Sequence, residues 1–213
     1  SDVSLKNYFA PEQKKQSLMR ISKLNDEGYL KKLAESRRAI TGRDSKKPHK
    51  QLHLFCGPPA TGKTMAMKIL AAEGGLKAFQ LMLSEPGYGT LKEMQDALKR
   101  IDEISSGPDA VGVAVFIDEA EQVFGSRRNM QNFHSVKAEA KKDVVKAFLE
   151  WTDGLVGRPS NAKPIVIVMA TNLRNSIDEA VQSRVGETLQ FSYPSASQCK
   201  QHYAAHAPNV RRW

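Results

Sequence analysis

One stretch, Gly57-Pro58-Pro59-Ala60-Thr61-Gly62-Lys63-Thr64, restricts this chain more than any other. It separates an apolar run, Leu52 to Cys56, from a helix-forming run, Met65 to Glu73, and reads as a strand, a glycine-rich loop and a helix. The pattern G-x-x-x-x-G-K-[ST] suits a phosphate cradle. Its glycines let consecutive backbone N–H groups close on phosphate oxygens, and the helix N-terminus adds partial positive charge. In that geometry Lys63 reaches the β- and γ-phosphates of a nucleotide and the Thr64 hydroxyl binds Mg²⁺. The competing reading is a glycine-proline turn with a solvent-facing lysine, which the flanking strand and helix patterns disfavour.

Around this loop the pattern alternates. Strands are predicted at Gln51–Cys56, Ala78–Leu83, Gly112–Ile117, Pro164–Ala170 and Glu187–Phe191, and helices at Thr64–Glu73, Leu91–Ser105, Ala138–Asp153 and Ile177–Ser183. Such alternation predicts an α/β fold, a parallel five-stranded sheet with helices on both faces. The runs 113–117 and 165–169 are apolar throughout, as strands buried on both faces should be. Ahead of the loop, Leu18, Ile21 and Leu24, then Leu30 and Leu33, predict two helices broken at Asn25 to Gly28, and Thr41 to Lys50 reads as a linker. The expected division is a basic helical lead-in and linker over 1–50, a nucleotide-binding core over 51–195, and the start of a further helical element over 196–213.

The 32 Lys and Arg residues against 23 Asp and Glu give a net charge of +9, and much of that excess precedes the glycine loop. A solvated helical face is the ordinary reading of such a run. The charge also permits contact with RNA or a ribonucleoprotein through residues 1–50, although no zinc-finger spacing or aromatic-basic repeat supports it. No apolar run approaches the roughly 20 residues that span a bilayer, and Ser1-Asp2 begins no signal segment, so a chain with no membrane segment in an intracellular setting is expected. Cys56 and Cys199 stand in unlike contexts and suggest no disulfide framework.

Two carboxylates, Asp118 and Glu119, end the apolar run 113–117. Ligands of open α/β sheets bind at the C-terminal ends of strands. Asp118 is therefore placed to hold Mg²⁺, directly or through water, and Glu119 to orient and deprotonate the attacking water, unless the pair merely caps a following helix. Asn172, at the tip of another buried strand, has an amide suited to the γ-phosphate or to that water; turn chemistry alone would also place an asparagine there. Arg184 follows a short helix. Cys199, His202 and His206 share one helical face but make an incomplete metal site, and none of the five histidines accompanies a nucleophile motif.

Taken together these elements resemble an AAA+ ATPase core of the P-loop NTPase class over about residues 50 to 195. Gly57–Thr64 matches Walker A, Phe116–Glu119 Walker B, Asn172 sensor 1 and Arg184 the arginine finger. The resemblance implies Mg·ATP hydrolysis catalysed by Lys63, Glu119, Asn172 and Arg184, with Thr64 and Asp118 on the metal. It further implies an oligomer, typically a hexameric ring and either homo- or hetero-oligomeric, in which Arg184 acts in trans and the work is remodelling of a protein substrate. The stretch Asp118 to Arg127 followed by Phe148 to Leu155 is similar to the AAA remodelling branch. The single-arginine ending Gln182-Ser183-Arg184, with Glu187 where a second arginine is common, resembles the mitochondrial inner-membrane AAA-domain group. It also resembles the Ser-Arg finger of sliding-clamp loaders, which keeps a DNA-dependent ATPase open as an alternative, beside a ribonucleoprotein assembly factor with little hydrolysis. Ser84 to Thr90 lacks the aromatic-hydrophobic-glycine pore tripeptide and offers only Tyr88 as a grip. Only Ser195 to Trp213 remain for a helical lid, and the terminal Arg211 and Arg212 are poorly placed for sensor 2, so the lid is expected to be mostly absent.

Overall fold

The computed structural model describes residues 4, 5, 8, 10–41, 50–82, 90–125, 136–154 and 162–206. Its centre is one parallel sheet of five strands: β1 (Lys50–Cys56), β2 (Lys77–Gln80), β3 (Val113–Ile117), β4 (Ile165–Thr171) and β5 (Val185–Gln190). Their spatial order is β2-β3-β4-β1-β5. The strand that carries the glycine loop therefore lies between β4 and β5, and β3 sits on the far side of β4.

The apolar strands sort their side chains by parity, because successive residues of a strand point to opposite faces. Leu52, Leu54, Val113, Val115, Ile117, Ile165, Ile167 and Met169 face α4 (Thr90–Ser106) and α6 (Val136–Thr152), where Met94, Leu98, Ile101, Val144 and Phe148 complete one core. Phe55, Ala114, Phe116, Val166 and Val168 face the opposite way, onto α1 (Glu12–Ser22) and α3 (Lys63–Glu73), with Leu18, Ile21, Ile69 and Leu70. Burying one such aliphatic side chain contributes about 1.5–3 kcal/mol, so the two cores rather than helix propensity hold the helices down. Between α4 and α6, Trp151 Nε1 donates to Asp102 Oδ2 at 2.7 Å, which satisfies the indole inside an apolar seam.

The remaining helices are α2 (Glu27–Thr41), α5 (Glu121–Phe124), α7 (Glu179–Gln182) and α8 (Ala196–His206). Most boundaries differ from the sequence expectation by one to three residues. β5 begins at Val185 rather than Glu187, because Gly186 is the extra residue of a register shift between the pairs Leu52–Val185 and His53–Glu187. β2 stops at Gln80 rather than Leu83. Tyr88 and the rest of 83–89 lie outside the described residues.

The lead-in is tied to the core. The Leu5 N–H donates to Glu73 Oε1 at 2.8 Å, the Lys14 ammonium sits 4.1 Å from the centroid of the Phe191 ring, and Arg20 Nη2 meets Glu187 Oε1 at 2.7 Å. Burial lowers the Lys14 pKa from its ordinary value. Among the described residues, no helix is long and apolar enough to cross a membrane.

Beside Glu187 in the register lies His53, only 4% exposed, with no hydrogen-bond partner for either ring nitrogen among the described residues. Burial pushes its pKa down to about 4, against a weaker opposing pull from Glu187. A base whose pKa is depressed by folding binds fewer protons in the folded than in the unfolded chain. Its stability contribution is therefore present above pH 6.5 and is lost as the pH falls toward 4. At about 1.4 kcal/mol per unit, the loss approaches 3 kcal/mol. His53→Leu should remove it: urea unfolding between pH 7 and 4 is expected to show a shallower decline in the variant, whereas parallel curves would contradict the assignment.

Candidate nucleotide and catalytic site

Gly57 is where the site is built. Its N–H donates to Thr171 O at 3.1 Å, and the Phe191 N–H donates to Cys56 O at 2.6 Å, so both neighbouring strands grip the end of β1. Gly57 adopts φ +152°, and a Cβ there would lie 2.1 Å from the Phe191 carbonyl oxygen. No other residue type fits that approach. The loop then turns through Ala60 at φ 59° and Gly62 at φ 90°, with Thr61 Oγ1 donating to Pro58 O at 2.7 Å. Ala60 occupies the left-handed region without being glycine, a conformation that costs of order 1–3 kcal/mol and that a built loop must hold. From Gly62 the chain enters α3, whose first backbone bond runs from Ala66 N to Gly62 O at 2.9 Å. The N–H groups of the first turn therefore face the loop, as an anion cradle requires.

Lys63 is buried beneath this cradle. Its ammonium donates to Gly57 O at 2.7 Å, to Pro58 O at 2.9 Å and to Asn172 Oδ1 at 3.2 Å, which uses all three protons. The strand order explains the third bond, since Asn172 directly follows β4, the neighbour of β1. The side chain of Thr171 turns that corner, with Oγ1 accepting from Leu173 N at 3.1 Å. Sequence reasoning placed Lys63 and Asn172 on the phosphates separately, and the structure joins them directly.

Asp118 and Glu119 emerge exposed from the end of β3. The Ala120 N–H donates to Ala170 O at 2.9 Å, which anchors this turn to β4. Glu119 takes φ +47°, while its N–H donates to Asp118 Oδ1 at 3.0 Å. A non-glycine residue in that region is uncommon and costs of order 1–3 kcal/mol, which the surrounding turn must hold. Thr64 is exposed at the first turn of α3. A hydroxyl and a carboxylate are hard oxygen donors, and Mg²⁺ typically takes only one or two protein oxygens with the rest from phosphate and water, so Thr64 and Asp118 fit the ion. Among the described residues, no group of three or more His, Cys, Asp or Glu could hold a metal. Cys199 is exposed, and the side chains of His202 and His206 lie outside the described residues.

Arg184 stands apart from Lys63 and is not free. Its Nε and Nη2 donate to Asp153 Oδ1 and Oδ2 at 2.7 and 2.6 Å, and Nη1 donates to Ala180 O at 2.8 Å. The hydrogen bonds from Arg184 hold the Asp153 carboxyl below its usual range, and the same bonds raise the guanidinium. Asp153 was not foreseen from sequence: it ends the run Trp151-Thr152-Asp153, where nothing marks it as the partner of a residue 31 positions on.

A buried β-strand that ends in this loop, with a lysine beneath it and carboxylates at the tip of β3, defines a P-loop nucleoside-triphosphate-binding domain. Residues 53–193 match the family described as ATPase family associated with various cellular activities (AAA), and the chain belongs to that family. It is 28% identical over 187 residues to an AAA family ATPase of Sinorhizobium fredii, covering 88% of this chain and 52% of that protein. It is also 32% identical over 143 residues to a putative 26S proteasome regulatory homologue of Methanocaldococcus jannaschii, and 30% identical over 146 residues to a katanin p60 ATPase-containing protein, the A-like 1 form, of Danio rerio. Each of these two alignments covers 67% of this chain, and they cover 35% and 28% of the respective relatives. The chain thus spans about half the length of the first relative and less of the others. Among solved structures, the E. coli MS115-1 HORMA:CdnC:Trip13 complex contains a chain with the same fold, at a TM-score of 0.73 and 20% identity, covering 95% of this chain and 69% of that one.

The Gly57 contact is directly testable. Gly57→Ala is expected to cost at least about 2 kcal/mol of stability, through overpacking and backbone strain, and to abolish binding of a fluorescent ATP analogue. Calorimetric unfolding and a binding titration check the two effects, and retention of both would refute the cradle geometry.

Proposed function

We propose that this chain is the catalytic core of an ATPase that hydrolyses Mg·ATP within an oligomer and couples turnover to the remodelling of proteins or protein assemblies. The observation that carries the reading is the Lys63 ammonium, which bridges the loop carbonyls and Asn172 while Asp118 and Glu119 emerge from β3, on the other side of β4. When nucleotide enters, Lys63 exchanges its loop carbonyls and Asn172 for β- and γ-phosphate oxygens, and Asn172, so released, orients the attacking water. Glu119 accepts the proton of that water. Thr64 and Asp118 would hold Mg²⁺, which neutralises phosphate charge when bound.

After leaving Asp153, Arg184 supplies the remaining positive charge to the nucleotide of a neighbouring protomer. Membership of the AAA family and the katanin-like and proteasome-regulatory relatives support the remodelling reading. The ending Gln182-Ser183-Arg184 with Glu187 supports the mitochondrial inner-membrane group as the branch, and with it a mitochondrial setting. Residues 1–50 are then a lead-in that braces the core through Lys14 and Arg20.

Steady-state ATPase activity should rise with protein concentration as protomers assemble. Glu119→Gln should reduce it to near background, and Arg184→Ala should lower kcat by roughly 10³-fold or more, as loss of an arginine finger does. Mixing the two inactive variants should restore part of the activity, because an Arg184→Ala site can borrow the finger of a Glu119→Gln neighbour. Concentration-independent turnover that survives Arg184→Ala would overturn the shared-site reading.

A further inference from the structure

Glu119 is held at both ends of its residue by the short helix that follows it. The Gln122 N–H donates to Glu119 O at 2.9 Å, and the Gln122 side-chain Nε2 donates to Glu119 Oε2. The Glu119 N–H is capped by Asp118 Oδ1, and its φ of +47° aims the side chain in a direction an ordinary helical or extended residue would not take. Backbone position is thus set by Asp118 and by the turn, whereas only the Gln122 amide restrains the carboxylate itself among the described residues. A glutamate side chain has three rotatable bonds, and an unrestrained general base spends much of its time out of reach of its proton.

We propose that Gln122 is a positioning residue for hydrolysis: its amide fixes Oε2 of Glu119 and leaves Oε1 as the oxygen that receives the proton of the attacking water. The inference rests on the reading of Glu119 as general base. Gln122 thus acts through Glu119 and not on the reacting atoms. Val123 and Phe124, the next two residues of α5, are buried in the core shared with α6, so the amide is presented from a packed element and not from a free loop. A site supported in this way is more precise than one whose base stands alone.

The test uses Gln122→Met, which keeps chain length and removes the donor, in the full chain at saturating Mg·ATP. Because a hydrogen bond to a charged group is replaced, kcat should fall roughly tenfold to a hundredfold, while the affinity for a fluorescent ATP analogue stays at the wild-type value. In a Glu119→Gln background, whose residual hydrolysis is followed over hours in single-turnover assays, the same substitution should produce no further loss, since the carboxylate it positions is gone. A kcat equal to or above wild type in Gln122→Met would overturn the proposal, the latter outcome making the amide a restraint and not an aid. Equal losses in both backgrounds would also overturn it, by showing a structural role. If Glu119→Gln alone leaves turnover intact, the general-base reading fails instead, which separates the two claims.

Discussion

The glycine loop and Lys63 depend on how closely β1 can approach β5 at its end. Gly57 brings the chain against the Phe191 carbonyl, in a position where a single added carbon would collide. That approach lets the Phe191 N–H reach Cys56 O from one side while Thr171 O takes the Gly57 N–H from the other. The loop therefore starts from a point fixed on two strands. Pro58 and Thr61 then set the carbonyls that hold Lys63, and Lys63 in turn holds Asn172. Loosening the first contact would release each later one.

The sheet was legible because its strands announce themselves locally: Val113–Ile117 and Ile165–Thr171 are apolar at nearly every position, and only a strand covered on both faces has use for that. The loop, Asp118 and Asn172 were legible for the same reason, each being a short pattern at the end of such a run. What escaped the sequence depends on tertiary neighbours. Nothing around Gly57 names Phe191 as the residue it must clear, nothing near Arg184 names Asp153, and the left-handed backbone of Glu119 is invisible in a side-chain pattern. Gln122 was passed over because a glutamine on a short helix carries no signal until the carboxylate beside it is located. The register shift at Gly186 displaced the predicted start of β5 by the length of the bulge and its flank.

Charge is a second case in which composition and structure say different things. The basic residues ahead of the loop read as a solvated face that also permits docking, yet Lys14 lies over Phe191 and Arg20 is paired with Glu187. Both contacts fall on the end of the molecule that carries β5, so the lead-in braces the same region that Gly57 depends on. Part of the positive charge is thereby used inside the fold, and a cation over an aromatic face counts as packing as much as electrostatics.

The pair formed by Arg184 and Asp153 has a kinetic meaning. Two opposite charges joined through Nε and Nη2 of the guanidinium largely cancel at a distance, so this pair adds little to the long-range field of a chain with an overall charge of +9. The pair itself therefore acts through shape and hydrogen bonding within a few ångströms and contributes little to long-range steering.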